Sequence, residues 1–436
     1  MTDKPAKPDN RRRVDPKWGF ETRAIHAGTA PDPASGAVVP PIQQTAAYAF
    51  PDSDTAAKRF DLGDFGNVYS RITNPTVAAL EKKLAALEGG VGATCAASGH
   101  AAQLLALLPL MTAGDDIVAA RQLYGGSTAQ FGTVFQRFGW GARTVDARDP
   151  GNIGRAIGPK TRAVFVESLA NPDGLVVDIE AIAAATKRAR IPLIVDNTLA
   201  SPYLLRPFEW GADLVIHSTT KFLNGHGNAL GGVVIDGGRF DWSRAPLLAE
   251  PCAAYHGVRF AEKFGKLAYT VYTHAIGLRD LGPAMAPLNA FLTTMGVETL
   301  ALRMQRHCEN ALAVARHLDK HSKVTWVSYA GLPDSPQKAL VAKYLPRGAG
   351  AVFTFGVKGG LEAGRKLVES VRLISHVANL GDARTLIIHP ASTTHRPLSE
   401  DELRASGIGP EAVRISVGLE TATDIMADLD QALAGI

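Results

Sequence analysis

One lysine in the middle of the chain follows an apolar run and two hydroxyl side chains. Residues 214–227 read LVIHSTTKFLNGHG, in which Ser218 and Thr220 stand three residues and one residue before Lys221. A lysine beside a buried strand is costly to keep charged unless it is paired, and a neutral amine can form an imine with an aldehyde cofactor. Ser218 and Thr220 could then bind the phosphate of that cofactor. Taken alone, the segment is explained more simply by a lysine that extends from a strand end into solvent.

A carboxylate ends an earlier apolar run. Residues 194–198 read IVDNT, and ligands of open α/β sheets bind at the carboxyl ends of the strands. A buried Asp196 needs a partner or a proton. The N–H of a pyridinium ring would fit, because the carboxylate would hold that proton in place and preserve the ring as an electron sink. The alternative is that Asp196 only caps the segment that follows.

A possible anion site lies further upstream, at Ser98, Gly99 and His100. These residues stand between a short predicted strand and a helix that begins near residue 101. Free N–H groups at a helix start bind anions, and glycine lets a phosphate approach the backbone, although many Ser-Gly pairs only cap a helix. The chain has neither a GxxxxGK[ST] loop nor a GxGxxG fingerprint, so a nucleotide cofactor has no local support. Together with Asp196, this site makes Lys221 the expected imine-forming residue.

Apolar runs alternate with helical segments through the middle of the chain. Residues 75–88 have apolar positions at helical spacing before Gly89 and Gly90, and Asp178 can cap a second helix at 178–190. Such alternation predicts crossover connections and a mostly parallel sheet with helices on both faces. The predicted strands are 117–120, 162–166, 192–195, 214–216 and 232–235.

The character of the sequence changes towards both ends. The N-terminal residues are rich in Pro, Gly and polar side chains and predict an extended arm with one short helix at 53–61. Near the other end, a helical stretch at 283–318 precedes short apolar runs that are typical of a separate small sheet. We therefore expect an N-terminal arm at 1–70, a large domain at 71–275 and a C-terminal α+β domain at 276–436. The C-terminal strands are predicted at 351–357, 386–388 and 413–417.

Charge and cysteine content argue against several classes of protein. The chain of 436 residues has 46 Lys and Arg against 42 Asp and Glu, a formal charge of +4, which is too weak a bias to indicate nucleic acid or a membrane as partner. Its three cysteines are far apart without a CxxC, so we expect no metal site and no disulfide framework. Because no secretory signal and no membrane-spanning stretch is evident, we expect a cytoplasmic protein.

In combination, these motifs resemble those of the PLP-dependent Cys/Met metabolism enzymes, which are related to cystathionine γ-synthase and use pyridoxal 5′-phosphate (PLP). The similarity runs from about residue 20 to the C-terminus, and within the family it is greatest to the O-acetylhomoserine sulfhydrylase group. The resemblance implies the α/β fold of PLP-dependent transferases (aspartate aminotransferase-like, fold type I), with a mostly parallel central sheet and a smaller C-terminal α+β domain. It also implies a homotetramer whose active sites are shared across a dimer interface. The motifs are GNVYSRITNPTVAALEKKLAALEGG, SGHAAQ, LYGGS, IVDNTL, HSTTKFLNGHG, LISHVANLGDARTLIIHPASTTH and VRISVGLE.

The resemblance further implies roles for individual residues. Lys221 matches the imine-forming lysine, which also acts as the base, and Asp196 matches the partner of the pyridine nitrogen. Tyr124 matches the aromatic residue that stacks on the ring and assists loss of the leaving group. Arg414 matches the arginine that binds the substrate carboxylate. The other expected cofactor residues are Gly99, His100, Ser218 and Thr220 at the phosphate, Tyr69 and Arg71 from the neighbouring subunit, Asn171 near the ring hydroxyl, and Thr198 beside Asp196.

The implied reaction is a γ-replacement, in which sulfide displaces acetate from O-acetyl-L-homoserine and gives L-homocysteine for methionine biosynthesis. Asn379 stands before Leu380-Gly381, where some relatives have Ser at the carboxylate pocket. This departure agrees with the sulfhydrylase group and makes Asn379 a candidate substrate residue. Three alternatives stay open within the family: O-succinylhomoserine as the substrate, cysteine as the acceptor, and γ-elimination. A non-enzymatic α/β protein that binds a phosphate ligand is the alternative outside it.

Overall fold

The structure, a computed structural model, describes residues 17–172, 174–393, 396 and 409–436. The first 16 residues of the expected arm lie outside the described residues, as do the last two residues of the HPASTTH motif. Within the described part, the chain forms a seven-stranded sheet and a five-stranded sheet. The division at residues 70 and 275 remains a prediction.

The larger sheet contains β1 (Gly92–Ala96), β2 (Asp116–Ala120), β3 (Gly141–Val145), β4 (Thr161–Glu167), β5 (Leu193–Asp196), β6 (Leu214–His217) and β7 (Gly232–Asp236). Its order is β1-β7-β6-β5-β4-β2-β3, and only β7 runs antiparallel to its neighbours. The expected mostly parallel sheet is thus confirmed. The sequence did not indicate β3, because this edge strand carries the short, partly exposed sequence GARTV rather than a buried apolar run.

The described helices are α1 (Phe20–His26), α2 (Ser53–Phe60), α3 (Pro75–Glu88), α4 (Gly99–Leu107), α5 (Gly125–Ala129), α6 (Pro150–Ala156), α7 (Ile179–Ala189), α8 (Ser201–Leu204), α9 (Pro246–Ala249), α10 (Phe260–Phe264), α11 (Ala268–Tyr272), α12 (Pro287–Glu298), α13 (Leu300–Asp319), α14 (Lys338–Tyr344), α15 (Gly360–Ser370) and α16 (Ala422–Ala434). Two π-helical segments occur at Gln130–Val134 and Thr273–Leu281. None of these helices is long and apolar enough to cross a membrane.

The helices predicted from capping signals begin and end for the expected physical reasons. Asn74 starts α3 by accepting the N–H groups of Thr76 and Val77, and Gly89 ends the helix with a left-handed φ of 87°. Asp178 starts α7 in the same way. The sequence missed α1, because this short helix is held by a tertiary contact. The buried Lys83 of α3 donates to carbonyl oxygens in α1, at 2.6 and 2.8 Å.

The smaller sheet contains β8 (Val324–Ser328), β9 (Val352–Val357), β10 (Ser375–His376), β11 (Leu386–Ile388) and β12 (Ala412–Ser416), in the order β10-β11-β12-β9-β8. The expected C-terminal strands correspond to β9, β11 and β12. The predicted continuous helical stretch at 283–318 is wrong, since it is divided into α12 and α13 at Thr299. Near this break Gly296 packs on the Asn224 carbonyl, where a Cβ would lie only 2.1 Å from the oxygen.

The backbone that follows Lys221 is held by residues from the C-terminal part of the chain. Arg303 of α13 is 6% exposed, and its guanidinium donates to the carbonyl oxygens of Phe222 and Gly296, both at 2.7 Å. Gly381 has a left-handed φ of 72°, and a Cβ there would lie 2.8 Å from the Phe222 nitrogen. The position of Lys221 therefore depends on α13 and on the segment between β10 and β11 as well as on the larger sheet.

Replacing Arg303 tests this support. Arg303→Met would remove the guanidinium donor from the buried carbonyl oxygens of Phe222 and Gly296, and Gly296 would keep only the longer bonds from Thr299, at 3.3 Å. Each lost bond of this kind costs about 1–3 kcal/mol. We expect the free energy of unfolding in urea to fall by about 3 kcal/mol. Arg306→Met on the same helix is the matched control, because the Arg306 side chain is 59% exposed and only 3.9 Å from Glu309. Equal, small effects of both substitutions would contradict the assigned role of Arg303.

Candidate active site

One cavity of about 270 Å³ lies at the carboxyl ends of β4, β5 and β6. This is the edge at which open α/β sheets bind ligands. All the site residues expected from the sequence line it except Tyr69 and Arg71. The lining residues are Ser98, Gly99, His100, Gln103, Tyr124, Glu167, Leu169, Asn171, Asp196, Thr198, Leu199, Ser218, Thr220, Lys221, Leu230, Ala378, Asn379, Leu380 and Arg414.

The amine of Lys221 lies inside this cavity and contacts a neutral side chain. Its Nζ donates to Oδ1 of Asn379 at 2.5 Å. Burial, and after it the positive charge of Arg414, lower the pKa of Lys221 to about 8. An appreciable fraction of this amine is therefore neutral near physiological pH, as a nucleophile or a base requires.

Arg414, on β12, reaches the same place from the smaller sheet. Its guanidinium donates to Oδ1 of Asn171 at 3.2 Å and to the backbone oxygen of Asn379 at 3.1 Å. Both acceptors are neutral, so the positive charge remains available to a carboxylate. Burial lowers the pKa of Arg414 to about 10, which still leaves it charged at pH 7. Asn379 thus contacts Lys221 through its side chain and Arg414 through its main chain.

Asp196 ends β5 at the floor of the cavity. Its Oδ1 accepts the Thr198 N–H at 3.0 Å and the Thr198 hydroxyl at 2.5 Å. Burial raises the pKa of Asp196, although these hydrogen bonds and the charge of His217 oppose the rise. These contacts compensate the charge of the buried carboxylate only in part, and a cationic N–H in the cavity would complete the compensation.

The start of α4 forms one side of the cavity. The Ser98 hydroxyl accepts the Ala101 N–H at 3.1 Å and caps the helix. A Cβ on Gly99 would lie 2.8 Å from Cβ of Ser218, so only glycine lets the helix start pack on that residue. Thr220 lines the same side, but its hydroxyl is already bonded to the backbone of Gly231. The helix N–H groups, Ser218 and His100 provide hydrogen-bond donors suited to a phosphate.

The ring of Tyr124 lies against His100 at the start of α5. The two ring centroids are 5.9 Å apart and the planes are inclined by 75°. Gly126 makes room for both rings, since a Cβ there would lie 2.4 Å from Cε1 of Tyr124 and 2.8 Å from Cε1 of His100. This explains the second glycine of the LYGGS motif, Gly126.

Tyr69 and Arg71 lie apart from the cavity of their own chain. The Arg71 guanidinium is 5.1 Å from the centroid of the Tyr69 ring, and Tyr69 is 41% exposed. Such exposed positions are compatible with contact to another copy of the chain. Their expected contact with the phosphate of a neighbouring subunit remains a prediction.

Two polar residues of the cavity were missed by the sequence reasoning. Glu167 is 3% exposed and accepts the N–H groups of Tyr124 and Asn171. Gln103, also 3% exposed, donates to the Ser127 hydroxyl at 2.7 Å, and its Oε1 has no hydrogen-bond partner. A polar side chain in an otherwise apolar strand or helix was the sequence feature that could have identified both residues. Among the described residues, no group of His, Cys, Asp or Glu could hold a metal ion.

The fold and the cavity define a PLP-dependent enzyme, and comparison with known proteins identifies its family. The profile of the Cys/Met metabolism PLP-dependent enzymes matches residues 21–434, and the chain belongs to this family. It is 49% identical to O-acetyl-L-homoserine sulfhydrylase 1 of Thermus thermophilus, over 95% of this chain and 100% of that relative. It is 47% identical to O-acetyl-L-homoserine sulfhydrylase of Leptospira meyeri, over 95% and 97% of the two chains.

A solved structure extends the similarity to three dimensions. A Campylobacter jejuni protein described as an O-acetylhomoserine (thiol)-lyase superposes with a TM-score of 0.93 at 38% identity, covering 96% of this chain and 100% of that one. Its structure contains N′-pyridoxyl-lysine-5′-monophosphate, a covalent product of PLP and a lysine. The cavity here fits the same group, because it combines a lysine of lowered pKa, a strand-end carboxylate and a helix start open to an anion.

Gly126 provides a test of the cavity geometry. In Gly126→Ala the added methyl group would displace the rings of Tyr124 and His100, and overpacking of this kind costs about 1–3 kcal/mol. We expect the Kd for PLP, measured by titration of the apoprotein, to rise about tenfold. Gly132→Ala is the control, since a Cβ there meets nothing within 4 Å. Unchanged affinity in Gly126→Ala would show that these rings do not define the cofactor site.

Proposed function

We propose that this protein is an O-acetylhomoserine sulfhydrylase, which converts O-acetyl-L-homoserine and sulfide into L-homocysteine and acetate. One observation carries the proposal: a buried lysine of lowered pKa and a buried arginine with neutral partners face one cavity, joined through Asn379. This pair suits an amino-acid substrate, whose carboxylate needs a cation and whose α proton needs a base. The names of the relatives at 47% and 49% identity support the same reaction.

The residues that would hold the cofactor follow from their places in the cavity. Nζ of Lys221 would hold its aldehyde carbon, Asp196 and Thr198 its ring nitrogen, and Tyr124 its ring face. Bound PLP supplies an electron sink for charge that develops on the substrate carbons. The remaining contacts would come from Gly99, His100, Ser218 and Thr220 at the phosphate and from Asn171 at the ring hydroxyl.

Arg414 and Asn171 would place the substrate. The planar guanidinium of Arg414 presents parallel donors to a carboxylate, and its bond to Oδ1 of Asn171 keeps the guanidinium plane facing the cavity. With the carboxylate fixed, the α proton of the substrate can face Nζ of Lys221. The proton and the base are then held together in one bound complex, so the proton transfer needs no separate encounter.

Lys221 would carry the protons of the reaction. Once free, this amine would remove one proton at Cα and one at Cβ, and it would return one proton to each of these carbons after sulfide has added at Cγ. The side-chain oxygen of Asn379 is close enough to retain this amine over the site. Loss of acetate from Cγ and addition of sulfide at the same carbon complete the exchange, with no net oxidation.

The charge of the cavity favours the acetyl ester and sulfide over larger partners. Besides His100, the lining residues include two basic side chains, Lys221 and Arg414. Lys221 would act as the base and Arg414 would bind the carboxylate next to Cα, so neither is free to bind a second carboxylate. The second carboxylate of O-succinylhomoserine, or the carboxylate of cysteine, would need a further cation. The side chains of Leu169, Leu199, Leu230 and Leu380 also line the cavity, and they suit a small acyl group.

We further propose a homotetramer with active sites shared between subunits, in the cytoplasm. The exposed positions of Tyr69 and Arg71 support shared sites, since the phosphate side of the cavity can accept more donors. Large apolar side chains are also exposed in the arm, among them Val38 at 67% and Phe65 at 67%. The described cysteines, Cys95, Cys252 and Cys308, are all free, which supports a reducing compartment.

An assay with paired substrates tests the function. Purified protein with PLP should form homocysteine from O-acetyl-L-homoserine and sulfide, at least about tenfold faster than from the succinyl ester. Lys221→Ala should lower the rate about a thousandfold or more, since it removes the base. Lys187→Ala, on the exposed side of α7, is the control. Equal rates with both esters, or faster formation of cystathionine with cysteine as acceptor, would contradict the proposed specificity.

A further inference from the structure

We propose that Glu167 is a positioning residue, which fixes Tyr124 and Asn171 around the cofactor through their backbone N–H groups. The proposal rests on the cofactor-binding roles proposed above for these two residues. Glu167 itself would touch neither reacting carbon, and its effect would pass through the two segments that it joins.

Glu167 is placed for this role by the sheet. It is the last residue of β4 and lies in register with Asp196, the last residue of β5. Because paired residues of neighbouring parallel strands point to the same face, both carboxylates are directed to the cavity, which both line. The two carboxylates nevertheless have different hydrogen-bond partners. That of Asp196 accepts the N–H and hydroxyl of Thr198, whereas that of Glu167 accepts backbone N–H groups from two separate loops.

Each oxygen of Glu167 has its own backbone donor. Oε1 accepts the N–H of Tyr124 at 2.6 Å, and Oε2 accepts the N–H of Asn171 at 2.9 Å. Tyr124 precedes Glu167 by 43 residues, whereas Asn171 follows it by four. One carboxylate thus joins the segment before α5 to the segment after β4.

The two anchored residues depend on this carboxylate to different degrees. Tyr124 is 46% exposed, and α5 begins without a side-chain cap, so burial and capping hold it less firmly than they hold a core residue. Asn171 is 4% exposed, and its side chain accepts from Arg414 at 3.2 Å. A shift of the Asn171 backbone would therefore also move an acceptor of the substrate-binding arginine.

Only a glutamate satisfies both donors. Glutamine is isosteric but has a single acceptor oxygen, so its NH₂ group would face one of the two N–H donors. Aspartate keeps two acceptor oxygens but is shorter by one methylene group and cannot span both loops without movement. The side chain thus needs both the two acceptor oxygens and the length that Glu167 has.

Glu167→Gln tests the proposal, with Asp428→Asn as a matched control. Asp428 is likewise buried, at 6% exposure, and accepts the backbone N–H groups of Arg372, Leu373 and Ile374 at 2.8 to 2.9 Å. It lies on α16 and does not line the cavity. If carboxylate-to-backbone bonds matter only for stability, the two variants should behave alike.

The first readout is cofactor binding. We expect Glu167→Gln to raise the Kd for PLP about tenfold or more and to shift the pH at which the absorption band of the bound cofactor titrates. Asp428→Asn should leave the Kd within about twofold and the titration unchanged. Should Glu167→Gln fail to fold, Glu167→Asp is measured in the same way, and a similar loss of PLP affinity is expected.

The second readout is coupling to Asn171. If Glu167 acts by placing Asn171, Asn171→Ala should weaken PLP binding less in the Glu167→Gln background than in the parent protein. Wild-type PLP affinity and an unshifted band in a folded Glu167 variant would overturn the proposal, as would strict additivity with Asn171→Ala. Because neither readout uses a substrate, a protein that binds PLP but forms no homocysteine would refute the proposed function without affecting this inference.

Discussion

The cost of keeping a positive charge on a buried amine underlies the chemistry of this site. Lys221 is surrounded by protein, has Arg414 nearby, and has a neutral amide rather than a carboxylate as its hydrogen-bond acceptor. A carboxylate at the position of Asn379 would favour the charged amine and raise its pKa. The neutral acceptor keeps the lysine in place while leaving its pKa near 8. Nucleophile and base can then be the same group.

The amine of Lys221 is buried because the C-terminal part of the chain packs closely on the larger sheet. Several glycines and one arginine make this close packing possible. Gly381 lets the segment from the smaller sheet lie directly on the backbone of Lys221. Arg303 donates to the carbonyl groups of Phe222 and Leu223 in the turn after Lys221. On the other side, Gly232 lies against the Ser98 carbonyl, where a Cβ would come within 2.0 Å. These glycines and this arginine support Lys221 although none of them lines the cavity.

The sequence predicted the parts of the site that lie at strand ends and helix starts, because such positions are set by local pattern. Asp196 and Lys221 could be placed by the apolar runs before them, and Gly99 by the helix after it. The contact between Lys221 and Asn379 joins residues 158 apart, so no local pattern determines it. Glu167 was missed because its acidic side chain reads as an ordinary strand end until the Tyr124 loop is folded over it. The break at Thr299 was missed because the apolar spacing continues across it, and the nearby contact of Gly296 with Asn224 is between residues far apart in sequence.

Covalent trapping would test the central claim most directly. Apoprotein is mixed with PLP at a series of pH values and reduced with borohydride after a short time, and the labelled peptides are quantified by mass spectrometry. The pKa of Lys83 is also lowered by burial to about 8, but its amine is bonded to two carbonyl oxygens away from the cavity. The account predicts label on Lys221 alone, with a trapping rate that is half-maximal near pH 8. Label on Lys83, or a rate that still rises tenfold per pH unit above pH 9, would contradict it.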